Sequence, residues 1–212
     1  MANLPAWRKG KFWEDNLGTE WTNTLQPLLR SEYMQTLMDN TNSRYVNGVP
    51  LCPSRKDLFR AFRETPWSDL RGVILGQDPY HDGESAYGLC FGHNPESTKA
   101  HSSSLRKILA SFPNGAITNP DLSGWAHQGF LMLNSALTVH KNRPGSFLYA
   151  WVKFTEHVIK TISQEKEETF FLLWGSKAKV FSKQIDDGKH HIFEEEYPRD
   201  IVWEPTCFDK VN

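Results

Sequence analysis

At 212 residues, with 39 % hydrophobic and 13 % aromatic residues including eight Trp, the chain has room for one domain with a large core. No apolar run approaches the roughly 18 to 20 residues of a membrane-spanning helix. Lys and Arg number 24 against 25 Asp and Glu, a formal net charge of −1, so attraction to a polyanion cannot rest on bulk charge and needs a local basic face. The three cysteines, Cys52, Cys90 and Cys207, are odd in number and widely spaced, which argues against a disulfide scaffold or a cysteine zinc site and for reduced, partly buried thiols.

Along the chain, Arg8, Lys9 and Lys11 have no apolar stretch after them, unlike a secretory signal, and predict an intracellular, cytoplasmic protein. Residues 1–20 read as a loosely attached lead-in to a single domain over 1–212. Trp21 to Met38 carries Trp21, Leu25, Leu28, Leu29, Leu37 and Met38 near helical spacing, with a break or restart near Pro27. Asp57 to Arg63 reads as a short helix. Four apolar runs predict strands: Gly72 to Leu75, Phe130 to Leu133, Thr169 to Trp174 and His190 to Phe193. Between them, Trp151, Phe154, Thr155, Val158, Ile159 and Ile162 form a helical core stripe. Strand alternating with helix predicts an α/β fold of three layers, with a short, twisted, parallel sheet of about four strands flanked by helices and reactive loops at the strands' carboxyl ends.

Directly after the first long strand comes Gly76-Gln77-Asp78-Pro79-Tyr80-His81. Glycine permits a sharp turn or a close backbone approach, and proline stiffens a loop that carries a carboxylate, a phenol and an imidazole. Alone, the hexapeptide is either a reactive strand end or a tight surface turn. It is followed by Gly88-Leu89-Cys90-Phe91, Ser104-Leu105, Asp121-Leu122-Ser123-Gly124-Trp125-Ala126, Leu133-Asn134-Ser135-Ala136-Leu137-Thr138-Val139 and Phe171-Leu172-Leu173-Trp174-Gly175-Ser176. In this order, from about residue 21 nearly to the C-terminus, the chain resembles family 1 uracil-DNA glycosylases.

The resemblance implies a monofunctional DNA-repair glycosylase that flips uracil out of single- or double-stranded DNA, hydrolyses its N-glycosidic bond and leaves an abasic site. It implies that Asp78 stabilises the cationic sugar and handles the attacking water, with His81 helping to hold that water or the loop. The backbone around Gln77 is expected to bond the base, Phe91 to stack on it, and Tyr80 to stand against C5 and reject a methyl group. The Asn134 amide offers a donor and an acceptor, which match O4 and N3–H of uracil and mismatch cytosine. Ser104, Gly175 and Ser176 suit phosphates. Basic residues recur near the same loops: Lys99, Arg106 and Lys107; Lys141 and Arg143; Lys177 and Lys179; Lys189 and Arg199.

The pattern departs at the family's His-Pro-Ser-Pro-Leu-Ser loop. Here the chain reads Tyr197-Pro198-Arg199-Asp200-Ile201-Val202, so Tyr197 stands where the family's histidine donates to uracil O2, and Ile201 where its leucine wedges into the duplex. Glu194 to Glu196 add negative charge beside DNA, and His101-Ser102-Ser103 is a softer loop than the family's proline-rich run. Two alternatives therefore stay open: a catalytically weakened DNA-binding or partner-docking homologue, and a glycosylase with a wider range of damaged bases. No metal or cofactor is implied, since adjacent His190 and His191 alternate faces of a strand. The expected partners are uracil-containing DNA and a proteinaceous glycosylase inhibitor, with the protein a monomer off the membrane. A cytoplasmic location means nucleoid association in a bacterium and the nuclear or host compartment in a eukaryote or virus.

Overall fold

Each of the four apolar runs becomes a strand, and their pairing decides where the loops meet. The computed structural model describes residues 6–8, 10–111 and 119–198. Among these, six strands form: β1 (Leu51–Cys52), β2 (Gly72–Gly76), β3 (Phe130–Asn134), β4 (Val139–His140), β5 (Phe170–Trp174) and β6 (His191–Glu195). The central sheet has the order β3-β2-β5-β6, and every pair in it is parallel. Short β1 and β4 pair antiparallel apart from it. All five residues of β2 are buried, as are the last four of β3 and of β5. Strands covered on both faces read as unbroken apolar runs, which is why alternation is absent from Val73-Ile74-Leu75.

The helices are α1 (Phe12–Leu17), α2 (Thr19–Thr24), α3 (Gln26–Leu29), α4 (Glu32–Val46), α5 (Arg60–Glu64), α6 (Ser103–Ala110), α7 (Ser123–Ala126), α8 (Leu148–Glu165) and α9 (Ser176–Lys179). On α8 the predicted stripe is the buried face: Trp151, Phe154, Thr155, Val158, Ile159 and Ile162 are all inaccessible. Burying each large apolar side chain contributes about 1.5 to 3 kcal/mol. The Trp151 indole N–H donates to Thr138 Oγ1 at 2.8 Å, so the polar end of this core residue is satisfied.

The helix expected over Trp21 to Met38 is three pieces, with Pro27 in the first turn of α3 and the Ser31 hydroxyl accepting from Met34 N–H to start α4. Proline is tolerated there because its missing N–H has no helical partner to lose. The segment expected over Asp57 to Arg63 is a 3-10 turn at Arg55–Asp57 followed by α5. The expectation of a loose lead-in is corrected within the described residues. Trp7 and Leu17 are buried, the Trp7 indole donates to Asp39, and Trp13 packs edge-on against Phe59. Spaced aromatic residues supplied enough apolar surface to fasten a segment whose charge suggested freedom.

From β2 the chain runs to β3 on one side and later to β5 on the other, so the order reverses beside β2. Ligand crevices of open α/β sheets lie outside the carboxyl ends at such a reversal. Register does the rest: Gly76 pairs with Asn134, which sets the hexapeptide beside the asparagine 58 positions away.

Candidate active site

The loop after β2 is held from two sides. From the β3 side, Ser135 N–H and Oγ both donate to the Gly76 carbonyl at 2.9 Å, and Ala136 N–H donates to the Gln77 carbonyl at 3.0 Å. From the segment after β4, Asn142 N–H donates to the His81 carbonyl at 2.8 Å and Gly145 N–H to Asp78 Oδ2. A cavity of about 380 Å³ opens between these loops. It is lined by Gln77, Asp78, Tyr80, His81, Phe91, Ser104, Asn134, Gly175, Ser176 and Tyr197, so ten of the twelve residues singled out in the sequence converge. The other two, Arg199 and Ile201, lie outside the described residues, as does Cys207.

Asp78 has one hydrogen bond to each oxygen, from Gln77 Nε2 at 3.0 Å to Oδ1 and from Gly145 N–H to Oδ2. Among the described residues no Lys, Arg or His pairs with it. The carboxylate is oriented without an ion-pair partner among those residues, which suits a group that stabilises a developing cation. His81 Nδ1 is buried with no partner among the described residues, so a bound water or ligand is what can satisfy it.

Asn134 is 7 % exposed, yet its side-chain amide makes no hydrogen bond to the described residues. A buried amide kept free of protein partners in a cavity wall presents its donor and acceptor to an occupant. Aromatic rings line the same cavity. Phe91 holds a left-handed backbone, φ 61°, which an aromatic residue rarely adopts, and its ring centroid is 5.3 Å from Trp174 and 5.9 Å from Tyr197. Tyr80 Oη is 2.7 Å from the Phe91 carbonyl and 2.9 Å from Ser102 Oγ. Burial pushes its phenol pKa up, against a smaller lowering by the Ser102 hydrogen bond, so it stays protonated near neutral pH.

At the outer rim, α6 starts with Ser102 as its cap, so the expected soft loop is instead pinned by side-chain hydrogen bonds. Ser104 is buried at the cavity, whereas Ser176 and Lys177 are exposed. Gly175 has φ 87°, and a methyl group there would come 3.0 Å from Tyr197 Cβ. Tyr197 thus lies directly on a glycine that needs both its conformational freedom and its lack of a side chain.

The basic residues divide. Arg106, Lys141, Arg143 and Lys177 are exposed, while Lys99 pairs with Glu84 at 3.5 Å and Lys179 with Glu196 at 2.7 Å. Glu196 is therefore partly compensated. Lys189 is a correction: it precedes β6 and bonds Glu167, and in a parallel sheet all such amino ends lie on the edge away from the cavity. His190 is buried, with Nδ1 accepting from Thr169 N–H and Nε2 donating to the Ser163 carbonyl, and exposed His191 stacks on Phe170. Sequence reasoning missed Gly145, Trp174 and Ser102. Trp174 reads only as the end of a strand and Ser102 only as part of a soft loop, while Gly145 is not singled out; a serine three residues before Leu105 is the cap signal that points to Ser102.

The model of the uracil DNA glycosylase superfamily matches residues 62–211. A uracil-DNA glycosylase of Pseudoalteromonas translucida is 39 % identical over 185 residues, 85 % of this chain and 84 % of the relative. The crystal structure of mimivirus uracil-DNA glycosylase superposes with a TM-score of 0.77 at 26 % identity, covering 84 % of this chain and 68 % of that one. A variant of mimivirus UNG in complex with UGI gives 0.78 at 25 % identity, covering 85 % and 69 %.

Proposed function

The chain belongs to the uracil DNA glycosylase superfamily, and on that premise we propose that its cavity holds one uracil flipped out of DNA, with Asp78 facing the sugar and Asn134 the base edge. The protein is a DNA-repair hydrolase that excises uracil from DNA and leaves an abasic site. The observation that carries the assignment of residues is the oriented carboxylate of Asp78 in one cavity with the amide of Asn134, the first without an ion-pair partner and the second without a hydrogen bond among the described residues.

Uracil enters between Phe91 and the Asn134 side of the cavity, stacking on the ring while the amide reads O4 and N3–H. As the bond between C1′ and N1 breaks, its electron pair leaves with the base and positive charge develops on the sugar. Asp78 stabilises that charge across the cavity. Water adds its oxygen to C1′ and gives its proton to the Asp78 carboxylate, with His81 Nδ1 holding the water. Tyr197 carries the O2 side, where its phenol donates one hydrogen bond to the departing base. Ser104, Gly175 and Ser176 grip phosphates, aided by exposed Arg106, Lys141, Arg143 and Lys177, so binding weakens as salt rises.

The enzyme is proposed to act as a monomer in the cytoplasm. The UGI complex of the mimivirus enzyme variant supports a proteinaceous inhibitor as a further partner. Uracil release from single- and double-stranded uracil-containing DNA tests the assignment. Wild type turns over, and a folded Asp78→Asn, Asn134→Asp double variant is inactive; activity unchanged in that variant refutes it.

A further inference from the structure

Tyr80 Oη sits between two oxygens, the Phe91 carbonyl at 2.7 Å and Ser102 Oγ at 2.9 Å. Three oxygens in a row need two protons, and the carbonyl has none. The phenol proton must therefore go to Phe91, and the proton between the two hydroxyls must come from Ser102. Ser102 is free to supply it, because its role as cap of α6 uses a lone pair: Oγ accepts from Leu105 N–H at 3.1 Å. The chain of donation runs from Leu105 N–H to Ser102, from Ser102 to Tyr80 and from Tyr80 to the carbonyl of Phe91, whose backbone is in the left-handed region. One hydroxyl thus ties the start of a helix whose next two residues, Ser103 and Ser104, line the cavity to the ring on its base side.

We propose that Ser102 is a positioning residue for base discrimination, whose donated hydrogen bond clamps the Tyr80 ring against C5 of the bound uracil. The proposal rests on the reading of Tyr80 as the C5 wall. A phenol bonded only to Phe91 pivots about that contact, whereas a phenol held by a second bond from the neighbouring segment does not. Rejection of a methyl group depends on such a wall not yielding, since steric exclusion lasts only as long as the excluding atoms are held.

The test compares release of uracil and of thymine from otherwise identical single-stranded DNA under single-turnover conditions, at a temperature where circular dichroism shows every variant folded. Losing one hydrogen bond at the phenol lowers the uracil-to-thymine rate ratio about tenfold in Ser102→Ala. Ser102→Thr keeps the cap and the proton and retains the wild-type ratio. Ser102→Asp keeps the cap but offers no proton, and its ratio follows Ala. A merely structural role lowers both rates together and leaves the ratio alone. Tyr80→Ala is the control for the underlying reading. If it fails to raise thymine release relative to uracil, the C5-wall assignment falls and this inference with it. If it does raise it while Ser102→Ala keeps the wild-type ratio, or Ser102→Thr behaves like Ala, or Ser102→Asp like wild type, the role of Ser102 alone is overturned.

Discussion

Gly76 and Asn134, paired across β2 and β3, are so close that a methyl group on Gly76 would lie 2.6 Å from Asn134 Oδ1 and 3.0 Å from Cys90 Cβ. The glycine is therefore space reserved for the amide. In Gly76→Ala the terminal amide of the Asn134 side chain gives way before the buried Cys90 Cβ does, so the amide leaves its orientation. Uracil kcat/KM should fall about 10- to 100-fold, while overpacking costs about 1 to 3 kcal/mol of stability. Kinetics and thermal melts of the same sample check this, and unchanged kinetics would show that the amide does not read the base.

Asp78→Asn keeps the shape but removes the charge, and it places an amide, with either its oxygen or its NH2, against Gly145 N–H and Gln77 Nε2. The uracil-release rate should drop about 10² to 10⁴-fold with little change in DNA affinity. Single-turnover rates and fluorescence anisotropy with uracil-containing DNA separate the two effects. A comparable loss of affinity would mean that Asp78 is needed for binding rather than for bond cleavage.

For Tyr197, removing only the hydroxyl in Tyr197→Phe should lower the uracil-release rate about tenfold or more and leave the packing against Gly175 and Phe91 intact. Tyr197→His should raise the rate above wild type by presenting an imidazole to O2. Gly175→Ala strains a φ of 87° and pushes on the same ring, so it should cost about 1 to 2 kcal/mol in stability and lower activity as well. Steady-state assays on the three variants check the set. A Phe variant with wild-type rate places the hydroxyl outside the reaction.

His93 supplies a pH-dependent contribution to stability. It is buried, Nδ1 lies 3.1 Å from the Asn94 carbonyl, Nε2 has no partner among the described residues, and its ring meets His101 at 4.8 Å and Tyr80 at 6.2 Å. Burial first, then repulsion from His101, lowers its pKa from the ordinary 6.5, against raising contributions from the Asn94 carbonyl and Asp82. Between the lowered folded value and 6.5 the unfolded chain binds more protons, so stability rises with pH across that window and is lost as pH falls through it. His93→Gln should flatten the dependence of Tm on pH below about 6.5 relative to wild type, measured by thermal melts in buffers of constant ionic strength. Parallel curves would show that His93 does not change protonation on unfolding.

Much of the site was legible in the chain because its chemistry is local. Strand runs, the α8 stripe and the hexapeptide are properties of consecutive residues, and the order of motifs carried Tyr80, Phe91 and Asn134 with them. The same locality explains the errors. Charge density near the N-terminus hid the few aromatic anchors that fasten residues 6–8 and 10–20, and Lys189 looked adjacent to a strand-end loop although strand direction puts it at the opposite edge.

By itself the sequence determined the elements and the kinds of group available for catalysis, since backbone preference, apolar periodicity and side-chain chemistry reside in neighbouring residues. Only the tertiary structure decided that Gly145, 67 positions along, orients Asp78, that Gly76 makes room for Asn134, and that Ser102 gives its proton to Tyr80. Those relationships depend on sheet register and loop convergence. Both are set by the packing of the whole core, so no local stretch of chain encodes them.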